Sequence, residues 1–391
     1  MPNLLELPFE LVLAVVKFLS NGELRHLSLV CHHLRRDCQA MLLTTCTIPI
    51  TFGSHRSVED YRELFQTPHF KESIRFISFR GVRIAPDIIP SEEKRAVLAE
   101  VAGHIPTLHR LQCIEMTKIE PTILLLDAIF RSTFNKPMKL VLRHNIYPEE
   151  YKFPSQDLKI HYIGATVTNM VQDASKHATI ARVFLPRLVS ACVATLKNLH
   201  INDGHYKMLD ILPVRLKSLT TTATQDPSLI AFLRSQTYLE ELTIRLDDSG
   251  WASKLSRSDL PNLRSVTASH GSLRYFLPGR AIREVNPSGY DTGNYSYEAL
   301  HDLLYNTCPS AAGNGVESLD LGSFMTQWMG VSVLRRYQGS LSNIRNLGIP
   351  CYEKVRQSCV FPEHFLRPWK GFSNGLYLPQ EPLEADLSLS P

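Results

Sequence analysis

The chain has 391 residues, 44% of them hydrophobic and 20% charged, a balance that excludes wholesale disorder. Its 42 basic and 38 acidic residues leave a formal charge of +4, with Lys and Arg dispersed, so charge points to neither a nucleic-acid nor a membrane partner. The eight cysteines include no C-x-x-C pair and read as reduced thiols. The apolar run 11–16 is flanked by Glu6, Glu10 and Lys17, unlike a secretory signal, and no stretch reaches the roughly 18 apolar residues of a membrane helix. A cytoplasmic or nuclear setting is expected.

The first elements are helical. After Leu7-Pro8, the positions Leu11, Val12, Val15, Val16 and Leu19 form a broad stripe at helical spacing. Pro8 suits a first helical turn, where a missing N–H costs nothing. Ser20-Asn21-Gly22-Glu23 has the spacing of a capping box, and a second stripe follows through Leu24, Leu27, Val30, Cys31 and Leu34. A third, short helix is expected through Cys38, Met41 and Leu42. Three helices in so short a span cannot bury all these stripes among themselves, so an apolar face is left for a partner.

These residues resemble an F-box. The family pattern runs L-P-x-E-L, an aliphatic residue, an aromatic–leucine pair, then L-x-x-L-x-x-V-C and a further leucine. Leu7, Pro8, Glu10, Leu11, Val15, Phe18, Leu19, Leu24, Leu27, Val30, Cys31 and Leu34 supply it in order; Leu42-Leu43 stand where the family often has a tryptophan. The resemblance implies docking on a Skp-type adaptor, and through it on a cullin-RING ubiquitin ligase. It places Leu7, Pro8, Leu11, Val15, Leu27 and Val30 at that contact. A generic three-helix capping bundle would show the same stripes.

From about residue 70 the sequence repeats loosely. An apolar residue, two variable, an apolar, one variable and an apolar recur at Ile74/Ile77/Phe79, Leu108/Leu111/Cys113, Leu196/Leu199/Ile201 and Leu239/Leu242/Ile244. Val316/Leu319/Leu321 and Ile344/Leu347/Ile349 repeat it; Leu216/Leu219/Thr221, Leu263/Val266/Ala268 and Ile282/Val285/Pro287 are weaker copies. Leu140/Leu142 and Leu158/Ile160 are two partial ones. The steps between Leu199, Leu219, Leu242, Val266 and Val285 are 20, 23, 24 and 19 residues, the period of a leucine-rich repeat. Helical patterns lie between them, at Val97/Leu98/Val101/Ile105, Leu229/Ile230/Leu233 and across 297–305. This region resembles the irregular leucine-rich repeats that often follow an F-box, although the asparagine of that family is mostly missing and Asn145 is its one candidate.

The expected fold is therefore an α/β solenoid: a three-helix F-box over 1–47, a linker over 48–70, and a curved leucine-rich-repeat-like array of parallel strands with outer helices over 71–350. A C-terminal cap and loose tail would occupy 351–391. An ordinary α/β domain whose strands share a pattern is the alternative.

Chemical motifs are missing. There is no G-x-x-x-x-G-K-[ST], H-E-x-x-H or G-x-S-x-G. Cys31, His32, His33 and Cys38 do not converge as four zinc ligands should, because helical neighbours face different ways. No catalytic residue, metal or cofactor is expected, and the chain does not read as an enzyme. Strand side chains alternate, so residues between the repeated leucines face solvent on a concave side. Arg110, Asn198, His200, Thr243, Arg245, Arg264 and Thr267 are the candidates there for capturing a target protein. Their neighbours carry both signs, which suits a protein rather than a phosphate backbone. The functional expectation is a ligase substrate receptor; a scaffold acting without the ligase, or an enzyme with an unrecognised site, are the alternatives.

Overall fold

The structure, a computed structural model, describes residues 9–16, 18–19, 21–30, 34–42, 44–50, 57–81, 92–134, 136–145, 147–148, 151–154, 158–166, 174–202, 214–223, 227–246, 255–277, 280–287, 315–320 and 344–348. The chain packs as two units, Met1–Val214 and Arg215–Pro391.

The first unit begins with three short helices: α1 (Phe9–Val16), α2 (Asn21–Val30) and α3 (Arg35–Leu42). Val12, Val16, Leu24, Leu34 and Cys38 form their buried core, with Leu19, Leu27, Met41 and Leu42 half-buried around it. They belong to the apolar stripes expected from spacing, of which Leu11 and Val15 are not buried, and α3 spans Cys38, Met41 and Leu42. The proposed capping residue Ser20 lies outside the described residues.

Six strands then form a parallel sheet in chain order: β1 (Thr45–Ile50), β2 (Phe76–Gly81), β3 (Cys113–Thr117), β4 (Met138–Arg143), β5 (Ile160–Thr166) and β6 (Asn198–Asn202). Parallel neighbours require a crossover, and helices fill most of these connections. They are α4 (Val58–Gln66), α5 (Pro68–Ser73), α6 (Glu92–His104), α7 (Ile123–Phe130) and α8 (Ala174–Ala191). Of the stretch 48–70, expected as a linker, the described residues 48–50 and 57–70 form strand, caps and helices instead. β1 pairs along its length with β2, and α4 and α5 bury Tyr61, Phe65 and Phe70. Ser57 caps α4 reciprocally with Asp60. Pro68 opens α5, where proline is favoured.

Register aligns the apolar positions into rows. Cys46, Ile77, Ile114, Leu140, Ile163 and Leu199 occupy one level across the six strands. Ile48, Phe79, Met116, Leu142, Ala165 and Ile201 occupy the next, and every member of both rows is buried. Two expected triplets are displaced by this register. The third repeat is Leu111/Ile114/Met116, not Leu108/Leu111/Cys113, because Leu108 ends a 3-10 turn at Ile105–Thr107. The fifth is Ile160/Ile163/Ala165 rather than one built on Leu158. Apolar residues three apart on both sides of Leu111 left the frame ambiguous in sequence.

The ends of β3 and β4 turn alike. Lys118 and His144, each one past its strand, have positive φ (53° and 55°). The Lys118 N–H donates to the Arg143 carbonyl, and the His144 N–H to that of Thr166. Gly81 ends β2 against this turn: a Cβ there would meet the Lys118 carbonyl oxygen at 1.9 Å. Asn145, next in chain, is buried. Its Oδ1 accepts from the Ile119 N–H at 3.0 Å, and its Nδ2 donates to the Met116 carbonyl at 2.8 Å and to Tyr147 Oη at 3.0 Å. One side chain thus satisfies polar groups of the preceding turn. Behind it Phe130, Tyr147, Tyr151, Phe153 and Phe184 stack edge to face or face to face.

The second unit repeats the plan with β7 (Ser218–Ala223), α9 (Pro227–Ser235), β8 (Glu241–Leu246), β9 (Ser265–Ala268), α10 (His270–Phe276), β10 (Glu284–Pro287), β11 (Ser318–Asp320) and β12 (Asn346–Gly348). Its strands are also parallel and in chain order. Leu219, Leu242, Val266, Val285 and Leu319 align at one buried level, in the frame expected from sequence. Arg280 is buried in this unit and donates to the carbonyls of Ser256, Asp259, Tyr275 and Phe276, tying a loop to the end of α10. The helix expected over 297–305 and the tail over 351–391 lie outside the described residues.

Two substitutions test this packing. Asn145→Ala strands an amide and a carbonyl, each costing about 1–3 kcal/mol. The first unit should melt at least about 4 °C lower in calorimetry, since 1 kcal/mol moves a unit of this size by about 2–4 °C. Leu242→Asp puts an unpaired carboxylate in the aligned row, and the second unit should lose cooperative unfolding altogether.

Candidate functional site

The three N-terminal helices have more apolar surface than they bury. On α1, Val12 and Val16 face the core while Leu11 and Val15 stay 53% and 41% exposed. Phe18, in the turn that leaves α1, is 90% exposed, and its N–H donates to the Val15 carbonyl at 3.0 Å. Spacings of four and three put Leu11, Val15 and Phe18 on one stripe. Leu29 of α2 is 72% exposed. A helix apolar on both sides is built to be covered on both, and a solvent-facing apolar stripe marks an interaction surface.

Of the six expected contact residues, Leu11 and Val15 lie on this stripe. Leu27 is half-buried against the helical core. Val30 lies in α2, its side chain outside the description, as are Leu7 and Pro8 entirely. Phe18 and Leu29 were not among the six. The spacing from Leu11 to Phe18 carried that signal.

Residues 4–36 match the family model of the F-box domain. The chain carries an F-box domain in this span. The matched span contains the exposed stripe of α1 and the whole of α2. No curated protein matches the chain. Among solved structures, a chain in the crystal structure of the Rad7 and Elc1 complex from yeast is similar, with a TM-score of 0.38 and 15% identity over 86% of this chain and 78% of that one.

Beyond the F-box, the candidate target residues distribute as follows. Asn198 and His200 lie in β6, at the levels of Tyr162 and Gly164 in β5. Thr243 and Thr267 are paired across β8 and β9. Arg245 lies two residues further along β8, level with Thr222. Arg264 lies just before β9, where its N–H donates to the Glu240 carbonyl at 2.8 Å. The two arginines therefore sit at different levels of the sheet rather than side by side. Arg110 is exposed in the turn before β3, outside the sheet, a consequence of the displaced third repeat.

The same displacement brings in residues that spacing had missed. Glu115 of β3 lies on the solvent face of the first sheet, where its carboxylate meets Arg143 Nε of β4 at 3.2 Å and accepts from Ser78 Oγ of β2 at 3.3 Å. Arg80 Nε donates back to Ser78 Oγ at 3.2 Å. Lys139 Nζ stands 4.3 Å over the Tyr162 ring, and that ring lies across Gly164. Cys113 shares this face; burial raises its thiol to about 11, which keeps it protonated and unreactive near neutral pH. Among the described residues no group of three or more His, Cys, Asp or Glu is placed to hold a metal. No described helix is long and apolar enough to cross a membrane.

If the α1 stripe is surface rather than core, the triple variant L11S/V15S/F18S keeps the wild-type melting temperature within about 2 °C, as exposed substitutions do. The matched core variant V12S/V16S lowers it measurably.

Proposed function

We propose that this protein is the substrate-recognition subunit of a cullin-RING ubiquitin ligase. Its F-box docks a Skp-type adaptor, and its strand-and-helix units hold the protein to be ubiquitinated. The observation that carries this is the coincidence of the F-box match with an apolar stripe that the helical bundle leaves uncovered. We read the bundle, residues 1–47, as the F-box. The units after it we read as irregular leucine-rich repeats, on the strength of their parallel strands, aligned apolar rows and the turn-closing Asn145.

The chain itself performs no chemistry in this reading. A lysine of a bound target is held near a ligase-bound conjugating enzyme, so a bimolecular encounter becomes an intramolecular one. Affinity for the adaptor comes from burying Leu11, Val15, Phe18 and Leu29. The setting is the cytoplasm or the nucleus, where such ligases operate.

Leu11→Asp with Phe18→Asp tests the docking. Two anchors at about 2 kcal/mol each weaken adaptor binding about 1,000-fold in calorimetry, while the repeat units stay folded. Unchanged adaptor affinity contradicts the reading. Recovery of adaptor without cullin from the wild-type protein would make it a scaffold instead.

A further inference from the structure

The strands of the two units differ in charge. In the first unit, consider the solvent-facing strand positions and the residue just before each strand. These positions hold Arg75, Arg80, Lys139, Arg143, Lys159 and Lys197, all exposed, against one carboxylate, Glu115. The corresponding described side chains of the second unit hold four cations and five carboxylates. There the charges largely neutralise one another: Lys217 pairs with Glu240 at 3.4 Å, and Glu317 lies 3.8 Å from Arg283 and 4.0 Å from Arg345. The near-neutral whole chain therefore conceals a cationic sheet in its first unit.

We infer that the solvent face of β2–β5 binds an acidic peptide segment of the target protein. This rests on the receptor reading above and names the chemistry its target presents. Arg80 and Arg143 share one level two strands apart, about 10 Å, and Lys139 lies four residues before Arg143, about 13 Å along the strand. That spacing fits anionic side chains of one extended peptide four residues apart. The Glu115 carboxylate, 12% exposed, fixes the Arg143 guanidinium. Lys139 is steadied over Tyr162. Both cations are thus pre-positioned, which lowers the ordering cost of binding. Between them, Val141 and the Tyr162 ring over Gly164 form a floor for the peptide's own carbons. Arginine suits both carboxylate and phosphate by bidentate hydrogen bonding, so glutamate, aspartate and phosphoserine share the required chemistry. A nucleic-acid backbone fits less well, because Glu115 sits in the middle of the cationic row and no run of basic residues extends it.

The test uses the full chain with its adaptor bound and fluorescent dodecapeptides read by anisotropy at low salt. Three peptides carry glutamate, phosphoserine or glutamine at every fourth position, and a single-stranded RNA dodecamer is the competitor. The glutamate or the phosphoserine peptide should bind at least tenfold more tightly than the glutamine peptide, and which of the two leads identifies the anion. R80E/R143E should abolish that preference, and the milder R80Q/K139Q/R143Q should reduce it at least tenfold at unchanged melting temperature. The charge-matched variant R95E/R131E, on α6 and at the C-terminal cap of α7, should leave it intact. Equal binding of all three peptides, an equal loss in R95E/R131E, or tighter binding of RNA than of either acidic peptide overturns the inference. Adaptor binding is measured on the same samples. Retained adaptor without acidic-peptide binding would sink this inference alone, whereas lost adaptor would sink the receptor reading.

Discussion

The structure depends on the level-by-level burial of apolar side chains between parallel strands and the helices that connect them. Each strand contributes one to three inward residues, too few to hold it alone. Stacked in register, Ile77, Ile114, Leu140, Ile163 and Leu199 become one continuous wall. Leu219, Leu242, Val266, Val285 and Leu319 do the same in the second unit. Repeat architectures gain stability this way, from interfaces between neighbours. With the inward positions committed to packing, the outward ones are free to vary, and this is where the two units diverge in charge.

The N-terminal helices obey the same physics with a different outcome. α1 has apolar residues on both sides, and the small bundle covers only one. Leaving Leu11, Val15 and Phe18 in water is unfavourable at roughly 25 cal/mol per Å² of apolar surface, so these residues gain most from a partner. The surface that leaves the bundle incomplete is the surface we propose the adaptor covers.

Much of this was legible in sequence because it follows from spacing. The helical stripes included Val12, Val16 and Leu24, which the bundle buries, and the repeated leucines gave the frame of the second unit. Where apolar residues recur every three positions, at Leu108, Leu111 and Ile114, spacing allows two frames, and the structure takes the one that starts at Leu111. That frame puts Glu115 on the sheet and leaves Arg110 in the turn before it. The stretch 48–70 is another case: prolines such as Pro49 resemble those of a linker, yet Pro49 lies in β1 at the first described edge of its sheet, where proline is tolerated. The Arg143–Glu115 pair joins residues far apart in sequence, and no pattern along the chain announces it.

Hydrogen–deuterium exchange of the full chain, with and without a saturating Skp-type adaptor, tests the central claim most directly. Amides of α1 and α2, including those around Phe18, should slow in the complex, while those of the two sheets exchange as before. A footprint on either sheet with the helices unchanged, or no footprint at saturation, would contradict the account.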